Sequence, residues 1–343
     1  MTPRYLSTDG LGRLLSALGD GRRVIAPLAT EGGPPVLGPY REGAVLDLGS
    51  ARAVQPAKTF LFPPRERVAV YGVGSQPEPA PEPEGLVLVG LSACDLRSLR
   101  VLDAVFLQGE DRDALYEARR AALIVISADC ASPRESCFCT MLGEDPWPTG
   151  GFDLNLSPVE GGYVVEAGGP MGEDLIAKHS DLFTEATPEM LAARDASRHS
   201  AAEGLAHAAR EFGWSLPRKD VLQRTVLSQV WTDAAADCVE CAACLFACPT
   251  CHCFLLHDHA ASSGFSRLRS WDGCAYGGFA RVAGGASPRP RIAERFQHRY
   301  RHKFEYFLDR YGFEACTGCG RCIDACPGGI DMRTVLAKAE EAA

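Results

Sequence analysis

Residues 238–249 run Cys-Val-Glu-Cys-Ala-Ala-Cys-Leu-Phe-Ala-Cys-Pro, placing Cys238, Cys241, Cys244 and Cys248 at a C-x2-C-x2-C-x3-C-P spacing. Cys316, Cys319, Cys322 and Cys326, followed by Pro327, repeat it. Thiolates so spaced bind [4Fe-4S] clusters. Three of them wrap one face of a cubane while the fourth leads away into a helix, and in two-cluster proteins that fourth cysteine ligates the other cluster. The pattern therefore assigns Cys238, Cys241, Cys244 and Cys326 to a first cluster and Cys316, Cys319, Cys322 and Cys248 to a second. The competing chemistry is tetrahedral zinc. Zinc motifs, however, usually present two C-x2-C pairs a dozen or more residues apart, whereas here three cysteines are packed tightly and the fourth precedes proline, twice.

The chain has 15 cysteines, so seven lie outside the motifs: Cys94, Cys130, Cys137, Cys139, Cys251, Cys253 and Cys274. The first four fall in the N-terminal part. Four convergent thiolates are all that a third [4Fe-4S] cluster needs, and the alternative is buried free thiols packing as small hydrophobes. Cys251, Cys253 and Cys274 either join such a site or pack beside the clusters and tune their potential.

The elements that must position these thiols fall into three stretches. Leu11, Leu14, Leu15 and Leu18 have amphipathic-helix spacing, with Thr8 and Asp9 as cap candidates and Gly19 as the stop. Val24–Ala26, Ala44–Leu46 and Val68–Val70 are short β-type runs separated by Gly and Pro clusters, which predicts an opening sheet. Gly72 and Gly74 are not a dinucleotide fingerprint, because the proline-rich run 76–83 follows where a phosphate-cradling helix would have to start; that run reads as an extended surface loop. Leu86–Leu91 and Leu123–Ser127, separated by helical periodicity over 96–120, predict a βαβ unit with parallel strands. Cys94 and Cys130 follow those two strands, where open sheets place their chemistry. Phe152–Leu156 and Tyr163–Ala167 read as a hairpin around Glu160-Gly161-Gly162, and 170–212 as helices. The stretch between Cys248 and Cys316 is too long for a small bacterial ferredoxin. With the helical run 291–311 in it, an α-helical ferredoxin arrangement is expected. The fold class is thus a mixed α/β N-terminal domain (1–187), a helical linker (188–230) and a helical dicluster domain (231–343).

Composition narrows the function classes. The chain has 343 residues, 46% hydrophobic and 23% charged, as in ordinary globular proteins. Cysteine-rich and without a secretory leader pattern, it points to metal ligation in a reducing, cytoplasmic compartment. The longest apolar runs are too short for membrane insertion. A net charge of −9 disfavours nucleic acid. His257-Asp258-His259 reads as a solvated segment more than a metal site. The basic residues Arg281, Arg289, Arg291, Arg295, Arg299, Arg301 and Lys303 form a solvated helix face, offset the charge of thiolate-ligated clusters, or dock an acidic partner. There is no Ser-His-Asp set, paired carboxylate site, P-loop or flavin fingerprint, so no catalytic residue is assigned.

Taken together, Pro56-Ala57-Lys58-Thr59-Phe60-Leu61-Phe62-Pro63, Cys94-Asp95-Leu96-Arg97, Cys130 with Cys137-Phe138-Cys139, and Cys248-Pro249-Thr250-Cys251-His252-Cys253-Phe254 resemble the β subunits of soluble hydrogenase/sulfur reductases (sulfhydrogenases) and the A subunit of anaerobic sulfite reductase. Trp271-Asp272-Gly273-Cys274, Ala283-Gly284-Gly285 and His302-Lys303-Phe304 extend the resemblance over most of the chain. It implies a non-catalytic electron relay between a flavin/NAD(P)H subunit and a terminal catalytic subunit, foremost of a soluble [NiFe] hydrogenase. The alternatives are a relay of an anaerobic sulfite reductase or another reductase (tungsten/molybdenum or heterodisulfide-type), and an iron-sulfur subunit that itself acts on a small sulfur substrate. Two departures, Ala242 where glycine is common and Ala286-Ser287 where His-Asn is common, leave the thiols intact and bear on the branch of the family.

Overall fold

A computed structural model describes residues 2–50, 52–72, 84–261 and 264–343. The proline-rich run 76–83, and with it Gly74, lies outside the described residues. The larger sheet is built from β1 (Arg4–Ser7), β2 (Arg23–Thr30), β3 (Gly33–Pro39), β5 (Leu86–Leu91), β6 (Leu123–Ala128), β7 (Leu154–Val159), β8 (Gly162–Ala167) and β9 (Phe183–Glu185). Its order is β3-β2-β5-β6-β7-β8-β1-β9. The central strands β2, β5, β6 and β7 are mutually parallel, and the outer pairs are antiparallel.

The apolar runs in β5 and β6 follow from burial on both faces. Val87, Val89, Ile124 and Ile126 pack on one side with Leu11, Leu14 and Leu15 of the helix Thr8–Leu18. Leu86, Leu88, Leu123 and Val125 pack on the other with Leu99, Leu102 and Phe106 of the helix Ala93–Leu107, and with Tyr116 of the helix Ala114–Ala121. The predicted βαβ unit and the hairpin β7-β8 are both present.

Three local expectations change. Ser7, not Thr8 or Asp9, caps the first helix, its Oγ accepting from Gly10 N at 3.0 Å. Ala44–Leu46 is not a strand, because only an isolated bridge joins Leu46 to Leu28. The run around Val68–Val70 does form β4 (Arg65–Gly72), but not in the opening sheet. It pairs with β11 (Gly264–Trp271), which pairs with β10 (Phe254–Ala261), giving a second sheet of order β10-β11-β4. Arg269 of β11 is buried and donates from Nε to Glu66 Oε1 of β4 at 3.0 Å, so the segment between the two cysteine motifs is bound to the N-terminal third of the chain.

The predicted helical run 291–311 is a helix from Ile292 to Arg301, a π-helical turn over His302–Tyr306 and a helix from Phe307 to Tyr311. The wide turn buries three successive side chains, Lys303, Phe304 and Glu305, and π turns of this kind recur at functional sites. No described helix is long and apolar enough to cross a membrane.

Candidate iron-sulfur centre

The two cysteine motifs adopt one backbone conformation twice. Glu240 and Ala242 have φ of 56° and 59°; Gly318 and Gly320, at the matching positions, have 65° and 70°. These left-handed residues turn the loop so that successive thiols face inward. In a non-glycine residue such a conformation costs about 1–2 kcal/mol, which is why glycine is usual where Ala242 stands. The second copy needs glycine for a further reason. A Cβ on Gly318 would lie 2.5 Å from Cys139 Cα, and one on Gly320 2.2 Å from Ser136 O. The second motif is thus pressed against the segment that carries Cys137 and Cys139, and Phe138 N donates to Gly318 O at 2.8 Å.

The structure brings Cys238, Cys241, Cys244 and Cys326 together around one cavity, which Cys322, Arg295 and Arg299 also line. Cys248 and Cys316 meet around Lys303, and Cys322 lies within electrostatic reach of Cys248, Cys319 and Cys244. Cys326 therefore lines the same cavity as Cys238, Cys241 and Cys244, and Cys248 lies near Cys316 and Cys322. Cys94, Cys130, Cys137 and Cys139 line a separate cavity, with Arg52 and Cys319 in its wall. β5 and the helix Ala93–Leu107 deliver Cys94, whose Sγ is 3.1 Å from Ser92 Oγ. The end of β6 delivers Cys130, and a 3-10 turn over Cys139–Leu142 delivers Cys139. The adjoining Asp129 is fixed by Arg198, which donates from Nε at 2.7 Å.

Among the described residues no three His, Cys, Asp or Glu side chains are close enough for a single metal ion. His257 and His259 belong to the strand β10.

Buried cations test the fit of an anionic cluster. Arg295, Arg299 and Lys303 recur every four residues and are all buried. Arg299 lies beside Cys244 and Cys322, and its Nε and Nη2 have no hydrogen-bond partner among the described residues. An uncompensated buried guanidinium costs several kcal/mol, and a thiolate-ligated cluster at this place offsets that cost. Lys303 Nζ donates to Cys248 Sγ at 3.2 Å and to Thr250 Oγ1 at 2.8 Å. A hydrogen bond from Cys251, opposed by burial and helped by Lys303, holds the Cys248 thiol well below the usual range. Burial pushes other thiols up, Cys316 to about 12 and Cys322 to about 11. Binding to iron requires these groups as thiolates, so cluster insertion releases protons.

Sequence reading missed the buried cations outside the 281–303 run. Arg52 donates from Nε to Cys319 O, and Arg321 to Asp95. Lys58 donates to Cys251 O at 2.8 Å and sits 4.2 Å over the Trp271 ring. Lys58 stands in an otherwise apolar stretch, Phe60-Leu61-Phe62 following at once. A cation in such a setting was the available signal.

Paired cubane-type motifs with buried compensating cations define an iron-sulfur electron-transfer protein, and residues 237–330 match the family model of a 4Fe-4S dicluster domain. Over 298 residues, 86% of each chain, the sequence is 32% identical to sulfhydrogenase 2 subunit beta of Pyrococcus furiosus. The chain belongs to the family of sulfhydrogenase beta subunits.

Proposed function

We propose that the chain is the electron-relay subunit of a cytoplasmic, soluble [NiFe] hydrogenase/sulfur reductase, passing electrons between a flavin/NAD(P)H subunit and a terminal catalytic subunit. Its residues 231–343 would form a helical ferredoxin-type unit, 1–187 the α/β domain and 188–230 the linker. Cys238, Cys241, Cys244 and Cys326 would hold one [4Fe-4S] cluster, Cys316, Cys319, Cys322 and Cys248 a second, and Cys94, Cys130, Cys137 and Cys139 a third. When bound, each cluster supplies one-electron exchange.

The observation that carries this reading is the continuity of the thiol groups. Cys322 lines the first cavity and reaches Cys248; Cys319 accompanies Cys322 and lines the N-terminal cavity. Cys241 is exposed at one end of this series, giving a partner access to it. The chain's own part is to exclude water from the other thiols and to place fixed cations beside them, which sets potentials through charge and hydrogen bonds to sulfur.

Anaerobic purification of the tagged native protein, with mass-spectrometric identification of what accompanies it, tests the reading. Recovery of a nickel-site large subunit and a flavin subunit is expected. A sirohaem or tungsten/molybdenum protein in their place would assign the relay to another reductase, and turnover of a small sulfur substrate by the isolated chain would overturn the relay reading.

A further inference from the structure

Three cysteines remain outside the thiol groups assigned above, and two of them are held together by the hairpin β10-β11. Phe254, the first residue of β10, is paired with Trp271, the last of β11. Beyond that pair, Asp272 N donates to Cys253 O at 3.0 Å. The hairpin thus brings Cys253 and Cys274 to its base, where both belong to one packed group with Leu245. Cys274 is buried and Cys253 half-buried. Lys58 brings a buried positive charge to the same place through Cys251 O and the Trp271 ring. The two thiols pack in one apolar group with Cys244.

We propose that Cys253 and Cys274 are a redox-active dithiol that exchanges with low-molecular-weight disulfides, Cys253 attacking and Cys274 resolving. This goes beyond the relay reading and does not require loaded clusters. The Cys253 thiolate attacks one sulfur of an external disulfide RSSR, the S–S bond breaks, and one thiol RSH leaves with a proton from solvent. The Cys274 sulfur, having given its proton to solvent, then attacks Cys253 Sγ in the mixed disulfide and expels the second RSH. Two protein thiols have lost two electrons and two protons, and RSSR has gained them. The order of attack follows from access, because only Cys253 is open to an incoming disulfide.

The test uses the anaerobically purified holoprotein, equilibrated in buffers of glutathione and glutathione disulfide, alkylated, and peptide-mapped. Cys253 and Cys274 are expected to lose alkylation together with no change in iron content. In Cys274→Ser, a glutathione adduct should collect on Cys253. Both thiols staying fully alkylatable in glutathione disulfide would overturn the proposal, and the wild-type protein alone decides that. Loss of about four iron atoms in Cys253→Ser would also overturn it, by making Cys253 a cluster ligand. The relay reading fails on the partners recovered or on turnover of a small sulfur substrate, neither of which alters the alkylation result, so the two failures are distinguishable.

Discussion

Asp95 and Arg321, 226 positions apart, form a buried ion pair: Nη2 of the arginine donates to Oδ2 at 3.1 Å, and Nη1 lies 2.9 Å from Oδ1. Asp95 follows Cys94, and Arg321 stands between Cys319 and Cys322. The pair thus clamps the N-terminal thiol cavity to the second cysteine motif, helped by Arg321 Nε donating to Ala53 O at 3.0 Å. Removing one partner leaves the other charged and buried, which costs about 3–5 kcal/mol. Asp95→Asn is therefore expected to lower the thermal midpoint of the anaerobic protein by several degrees, whereas Asp309→Asn, at an exposed site, should barely move it. Equal midpoints for Asp95→Asn and the wild type would remove the clamp from the account.

Lys303 bears on the potential of the neighbouring centre. Its ammonium donates to Cys248 Sγ, and its own proton is held more tightly than usual, burial being outweighed by Cys248, Cys251 and Cys316. Reduction adds negative charge next to this cation, so the lysine favours the reduced state. A hydrogen bond to a charged group is worth about 1.5–3 kcal/mol, and 1.4 kcal/mol corresponds to about 59 mV for one electron. Lys303→Met should lower one midpoint potential by roughly 60–130 mV in EPR-monitored titration. Unchanged midpoints would mean that the lysine serves packing alone.

Much of this centre was legible in the sequence because its determinants are local. Cysteine spacing marked the two motifs, and the apolar runs of β5 and β6, with helical periodicity between them, marked the strand ends that carry Cys94 and Cys130. What stayed hidden depends on contacts distant in sequence. β4 was visible as a strand, but its partner β11 lies far along the chain, and local pattern says nothing of that. β10 has no polar-apolar alternation to mark it, since Phe254, Leu255 and Leu256 run consecutively and all are exposed. The π turn at His302–Tyr306 has no local signature. Ala44–Leu46 has a strand's composition but only one bridge to pair with. Of the basic run, the sequence offered three roles, and burial sorts them: Arg281 and Arg291 are exposed, while Arg295, Arg299 and Lys303 turn inward.

Arg299 makes the stability of the fold depend on iron. With Cys244 and Cys322 coordinated, its guanidinium faces an anionic group; after iron is removed, burial returns uncoordinated Cys322 to a neutral thiol and the arginine is left uncompensated. Chelation under oxidising conditions should lower the thermal midpoint of the wild type markedly. Arg299→Leu should narrow the gap between holo and apo forms, destabilising the first and sparing the second. An equal gap in both proteins would show that Arg299 is not the residue through which iron stabilises the chain.

The N-terminal cavity is decided by counting iron. Cys94, Cys137 and Cys139 are buried, and burial pushes the Cys139 thiol up to about 11. Free thiols there would be neutral and could pack as hydrophobes without penalty, so burial alone favours neither reading. The four thiols line one cavity with Arg52 and Arg97 in its wall, and iron content distinguishes the two readings. The anaerobically reconstituted protein should hold about 12 iron atoms per chain, and Cys130→Ser or Cys139→Ser about 8, with the EPR signals of the remaining centres intact. A wild-type value near 8, unchanged in both variants, would make the four cysteines structural and end the relay at the second motif.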